Sequence, residues 1–238
     1  MSRCTADTAC MSVFQLGRYL GTGYRPFVMA AMDAAKLVKV EQALEAIDAA
    51  TDSGLDAVKM RGLPQRWARQ LFDYADKRGT VIIPTVSDEA TIERLDWFGA
   101  TAFEIFFDWA DLDLVRCAAR TTKPLLLSIA NASALEIGNV VELSHDEGAG
   151  GVALVQRVLD ASLGLQCLER LRGHDAVMGV SDRWVNPGTV RAAILEGASM
   201  IEMRVGPKPT LDELSGLARS CESAWSLVGG RADAWASN

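Results

Sequence analysis

The chain has 238 residues, of which 49% are hydrophobic and 23% charged, enough for a sizeable core and unlike a mini-protein or a disordered chain. Its 24 Lys and Arg stand against 31 Asp and Glu, a formal charge of -7. That balance excludes general attraction to nucleic acid or an anionic membrane surface but leaves room for a local basic pocket. Cys4, Cys10, Cys117, Cys167 and Cys221 are scattered, odd in number and without CxxC spacing, so neither a disulfide framework nor a zinc ribbon is expected. No run approaches the ~18 apolar residues of a membrane span, and the opening MSRCTADTACMSVFQ lacks the order of a signal peptide. These features predict a cytoplasmic protein that binds neither nucleic acid nor membrane.

Residues 1–12 read as a flexible tail, 13–230 as a single domain and 231–238 as a second tail. SVFQLGRYLGTGYRP has Gly-punctuated alternation and predicts a small hairpin. From residue 27 onward, short β-branched and apolar runs alternate with segments of helical period. Strands are expected at 27–31, 56–60, 80–84, 101–106, 124–129, 151–156, 176–180 and 199–205, each followed by a helix. In the first helix Val40, Ala43, Leu44, Ile47 and Ala50 share a face, and Gly54 supplies a stop. Eight such units match an α/β fold of the (β/α)8 TIM barrel type, its floor closed by the N-terminal β-hairpin. A doubly wound sheet is the alternative, but no GxGxxG turn follows the first strand.

In a barrel the chemistry sits at the carboxyl ends of the strands. The polar residues near those ends are Asp33, Lys59, Arg61, Thr85, Glu104, Asp108, Ser128, Asn131, Gln156, Arg157, Ser181, Asp182, Arg183, Glu202 and Arg204. Lys59 with Arg61, Arg157, Arg183 and Arg204 makes a cationic set suited to a carboxylate or phosphate, since guanidinium forks pair with either. Glu104, Asp182 and Glu202 are candidates for acid and base, and Lys59 for ligand contact or Schiff-base chemistry. The alternative is that these groups simply pair off as structural ion pairs. His145 and His174 lie in polar turns and are expected to be exposed. Phe106, Phe107 and Trp109 form an apolar run at the mouth, and Trp184 is placed to lid it.

FVMAAMD, VEQALEAIDAATDSGLDAVKMRG, TKPLLLSIANASALEIGNVVEL, MGVSDRW and GASMIEMRV resemble, in order and spacing, the sialic acid synthase family, over residues 13–228. The resemblance implies a barrel that condenses phosphoenolpyruvate with an aldehyde sugar such as N-acetylmannosamine, using a divalent metal, usually manganese. It places Lys59 at the family's strand-two lysine, Ser128 at the start of its Ser-Thr-Gly turn, Ser181 and Asp182 at Ser-Asp-His, and Glu202 at Glu-Lys-His. Departures are equally plain. Ala31 stands for the first-strand glutamate, Glu104 for a phosphate-site lysine, Ile129 and Ala130 for Thr-Gly, and Met203 and Arg204 for Lys-His. Gln156 and Arg183 stand for the two metal-binding histidines, and the family's antifreeze-like domain is expected to be lacking.

An arginine cannot give up its proton to become a metal ligand, so no metal site and no cofactor are expected. Glutamate for lysine beside a phosphate turns attraction into repulsion of roughly 4 kcal/mol per pair at ~4 Å and an effective dielectric of ~20. The expectation is a divergent enzyme, a transferase or carbon–carbon lyase, acting on a small anionic metabolite. Lys59, Glu104, Glu202 and Asp182 are its candidate catalytic residues. Arg61, Ser128, Gln156, Arg157, Ser181, Arg183 and Arg204 are the candidate substrate ligands. The alternatives are a catalytically inactive barrel serving as ligand sensor or as subunit of a biosynthetic complex, and a true phosphoenolpyruvate-dependent synthase. A homodimer is the assembly the resemblance implies.

Overall fold

A computed structural model describes residues 12–107, 111–158, 167–182 and 187–228. The expected tails, Ser12 apart, lie outside them, as do Asp108, Trp109, Arg183 and Trp184. Eight parallel strands close into a barrel in the order β10-β3-β4-β5-β6-β7-β8-β9. They are β3 (Phe27–Asp33), β4 (Ala57–Arg61), β5 (Val81–Thr85), β6 (Phe103–Phe106), β7 (Leu125–Ile129), β8 (Val152–Arg157), β9 (Val177–Asp182) and β10 (Met200–Arg204). A separate antiparallel pair, β1 (Val13–Leu16) with β2 (Arg18–Gly21), is the predicted hairpin.

Helices α1 (Val40–Asp52), α2 (Gln65–Arg78), α3 (Glu89–Trp97), α4 (Leu112–Arg120) and α5 (Ala134–Asp146) follow β3 to β7. Likewise α6 (Pro187–Leu195) follows β9 and α7 (Leu211–Leu227) follows β10. Between β8 and β9, residues 167–171 are 3-10 helical, and 159–166 lie outside the described residues. In α1, Ala43, Ile47 and Ala50 are buried, with Val40 and Leu44 packed against the core. Gly54 ends that helix at φ +77, where a Cβ would crowd the backbone. Among the described residues no helix is long and apolar enough to cross a membrane.

Strand alternation sorts the core into two clusters. Outward residues such as Val28, Val58, Met60, Leu127, Leu154, Val180 and Ile201 pack under the helices. Inward ones, Phe27, Met29, Ala57, Val81, Ile83, Leu126, Ala153, Val155, Val177 and Met200, fill the barrel together with Phe14, Leu16 and Leu20 of the hairpin. The hairpin is therefore the floor, and the interior below the site is apolar. At Gly151 a Cβ would sit 2.3 Å from the Phe14 ring, so only glycine lets the hairpin seat this deeply.

Asp56, just before β4, locks the floor to the wall. Its Oδ1 accepts from Arg18 Nε and from Arg25 Nη2, both at 2.7 Å, and its Oδ2 from Arg18 Nη2 and the Val28 backbone N–H, both at 2.8 Å. The Arg18 guanidinium also stacks 5.4 Å from the Phe27 ring centroid.

Candidate active site

The inward alternation that buries apolar residues low in the barrel turns polar near the carboxyl ends. Lys59 is in register with Ala31 and Ile83, Glu104 with Thr85 and Leu126, and Glu202 with Ser181 and Met29. Lys59, Glu104, Ser128, Ser181 and Glu202 are all at most 5% exposed. Burying charge at this depth is tolerable only when every charge is paired. Here one cation serves two anions: Lys59 Nζ lies 2.5 Å from Glu104 Oε1 and 2.7 Å from Glu202 Oε2. Hydroxyls complete the set. Ser128 donates to Glu104 Oε1 and Thr85 to its Oε2, while Ser181 Oγ donates to Glu202 Oε1 at 2.6 Å.

Burial works against the Lys59 ammonium, but the fields of Glu104 and Glu202 and their hydrogen bonds outweigh it, so its pKa is raised. A lysine that attacks a carbonyl to form a Schiff base needs the opposite, a depressed pKa. The direction in which Glu104 and Glu202 move Lys59 is opposite to the one the Schiff-base reading needs.

Above this triad opens a cleft of about 450 Å³. Lys36, Lys59, Arg61, Arg157 and Arg204 line it, against the two carboxylates of Asp33 and Glu202. Ser181, Phe106 and the turn from Val205 to Pro207 complete the wall. Arg61 is held by Asp33 Oδ2 at 2.6 Å with its guanidinium still largely exposed. The Arg157 guanidinium lies 4.9 Å from the Phe106 ring centroid, with Lys59 Nζ 5.8 Å from the same centroid. Arg204 Nη2 donates to the Val158 carbonyl at 3.2 Å, which ties it to the end of β8.

The predicted site residues thus divide three ways. Lys59, Arg61, Arg157, Ser181, Glu202 and Arg204 converge on the cleft, with Glu104 and Ser128 directly behind Lys59. Two others do not join them. Gln156 follows outward Leu154 by two residues and faces away from the barrel axis, where its Oε1 accepts from Arg170 Nη2 at 3.0 Å and Nε at 3.3 Å. Asp182 follows outward Val180 in the same way and does not line the cleft. Arg183 lies outside the described residues. His145 is exposed as expected, although on the last turn of α5, whereas His174 is half-buried with Nε2 3.2 Å from the Arg170 carbonyl.

Sequence reasoning missed Lys36 and Arg170. Lys36 ends the 3-10 turn Ala34–Lys36 that follows β3, 3.8 Å from Asp33, and a basic residue one turn past a barrel strand was the available signal. Arg170 has no local signal. It reaches back to the Ala130 carbonyl at 2.6 Å and clamps the ends of β7 and β8.

A divalent cation would need neutral or anionic donors aimed at one point. Of the two positions aligned with the family's histidines, Gln156 already accepts from Arg170 on the outer face, and an arginine at 183 offers no lone pair. Among the described residues, no group of three or more His, Cys, Asp and Glu is placed to hold a metal ion. At those two positions the side chains are not the imidazole donors that the resemblance implies for a metal.

A closed parallel barrel with a cleft lined by cationic side chains at its carboxyl ends defines the molecule as a TIM-barrel protein. The chain belongs to the NeuB family, whose model matches residues 30–212. It is 24% identical over 234 residues to the spore coat polysaccharide biosynthesis protein SpsE of Bacillus subtilis, covering 81% of this chain and 63% of the relative. To the pseudaminic acid synthase of Helicobacter pylori it is 28% identical over 147 residues, 58% of this chain and 43% of that one. The chain spans less than two thirds of the length of both relatives. The fold is similar to the crystal structure of N-acetylneuraminic acid synthetase from Leptospira borgpetersenii in complex with citrate. That match has a TM-score of 0.81 at 19% identity and covers 92% of this chain and 90% of the other.

Proposed function

We propose that the chain is a carbohydrate-biosynthetic barrel enzyme that takes a small metabolite bearing carboxylate or phosphate and makes or breaks a carbon–carbon bond in it without a bound metal. The observation that carries this reading is the lining of the cleft, five cationic side chains against two carboxylates in a protein whose overall charge is -7. Guanidinium and ammonium groups converging in a half-enclosed space recognise an anion by charge-assisted hydrogen bonds. Citrate, the molecule bound by the Leptospira synthetase, is an anion of this class. Glu202 is the buried carboxylate that reaches the cleft, and it is the group we assign to proton transfer. Arg61, Arg157 and Arg204 bind the ligand's anionic groups, and Lys59 holds Glu202 in place. The scattered cysteines support a cytoplasmic location, and the family resemblance supports a homodimer.

One observation favours a second reading, an anion-binding subunit without turnover: the Lys59 ammonium is already shared between the chain's own Glu104 and Glu202. Thermal unfolding of the purified chain with phosphoenolpyruvate, with N-acetylmannosamine and with both, each with and without manganese, separates the readings when followed by product analysis. A ligand that binds only the folded chain raises the midpoint by mass action. The proposal expects a shift with phosphoenolpyruvate that is unchanged by manganese, and a new carbon–carbon product. A shift without product from any carboxylate or sugar phosphate tried supports the silent subunit. Turnover that requires manganese contradicts the metal-free mechanism.

A further inference from the structure

We infer that Glu104 is the internal occupant of an anion pocket, so that the barrel interior is built to hold one carboxylate-sized anion and holds its own. Three donors from three strands converge on that carboxylate: Lys59 Nζ on β4 at 2.5 Å, Thr85 Oγ1 on β5 and Ser128 Oγ on β7. Glu104 itself rises from β6, between β5 and β7 in the barrel, and is 0% exposed. A structural ion pair needs one cation. Here an ammonium and a hydroxyl meet Oε1 and a second hydroxyl meets Oε2, which is how a binding site surrounds a carboxylate ligand on both oxygens.

The arrangement sets the depth at which a ligand stops. The wall of the cleft includes Lys59 and Glu202 but not Glu104, Ser128 or Thr85. Ligand anions are therefore received by the arginines at the mouth; of the three donors only Lys59 reaches the cleft wall, while Ser128 and Thr85 are taken up by the chain's own carboxylate. Cutting Glu104 back to its Cβ leaves the three donors in place around a void with room for a one- or two-carbon monocarboxylate. Polar voids of this kind hold ordered water, which an anion that meets the same donors can displace.

The test is thermal unfolding of wild type, Glu104→Ala and Glu104→Gln in a series of sodium formate, against sodium chloride at equal ionic strength. The inference expects formate to raise the Glu104→Ala midpoint saturably beyond chloride, with acetate weaker or equal. It expects no formate-specific shift for wild type or for Glu104→Gln, whose amide still fills the pocket. Equal response of Glu104→Ala to formate and chloride overturns it, as does an equal formate shift in all three proteins. If Glu104→Ala is unfolded in chloride, the same series reads recovery from denaturant. Formate-dependent recovery supports the inference, and absence of recovery in both salts overturns it. Ligand binding at the mouth is measured on wild type, so failure here leaves the proposed function standing, and failure there leaves this result intact.

Discussion

Lys59→Met lowers the unfolding free energy by about 3–5 kcal/mol at neutral pH, because it leaves two buried carboxylates without the cation they share. The side chains are of similar length, so lost packing contributes little. The penalty comes from Glu104 and Glu202, each 1% exposed at the side chain, facing each other across the gap. Combining Lys59→Met with Glu104→Gln and Glu202→Gln removes the uncompensated charge, and the triple variant recovers most of the loss, as seen in denaturant titrations. If the single and triple variants are equally unstable, packing rather than charge holds the layer.

The same variant reports the alkaline limit. The unfolded chain releases the Lys59 proton near the ordinary value of 10.5, and the folded chain only above it. A raised folded pKa gives stability that is complete below the unfolded value and is lost as pH climbs through the folded one. The difference in stability between wild type and Lys59→Met therefore stays level up to the ordinary lysine value and shrinks beyond it. A difference that persists unchanged well above the ordinary lysine value would place the effect on other groups.

Asp56→Ala costs about 3 kcal/mol, the second largest loss, because it removes the carboxylate of a largely buried ion pair, leaving Arg18 only the carbonyls of Tyr19, Arg25 and Pro26, and strips the Val28 backbone N–H of its acceptor. Arg25→Ala removes a partner that is 53% exposed and costs less than about 1 kcal/mol. Urea unfolding of the pair measures the contrast. Equal losses would mean that the hairpin is held by Phe14, Leu16 and Leu20 alone.

The fold was legible because barrel strands and helices differ in period, and each predicted strand matches an observed one to within about two residues. β3 runs on to Asp33 and so carries that carboxylate into the cleft. The site was legible in part. Proximity to a strand's carboxyl end brought Lys59, Arg61, Arg157, Glu202 and Arg204 together, but it also admitted Gln156 and Asp182. Parity separates them: counting by twos from Ala153 and Val155 gives Arg157 inward, and from Val177 and Gly179 gives Ser181 inward, leaving Gln156 and Asp182 on the helix side. The pairing of Lys59 with Glu104, 45 residues away, and with Glu202 was foreseen as the alternative to catalysis. Its three-donor geometry depends on the closure of the barrel, which no local pattern encodes.

The central claim, that the mouth of this barrel is an anion site made by arginines, is tested most directly by calorimetric titration of citrate into wild type and Arg157→Ala. Arg157 stacks over Phe106 and lines the cleft, so its loss removes ligand contact and leaves the buried triad in place. The account predicts binding to wild type that weakens with added salt, and affinity lower by roughly tenfold, about 1.4 kcal/mol, in the variant. Equal affinity in both proteins, or no citrate binding by folded wild type, would contradict it.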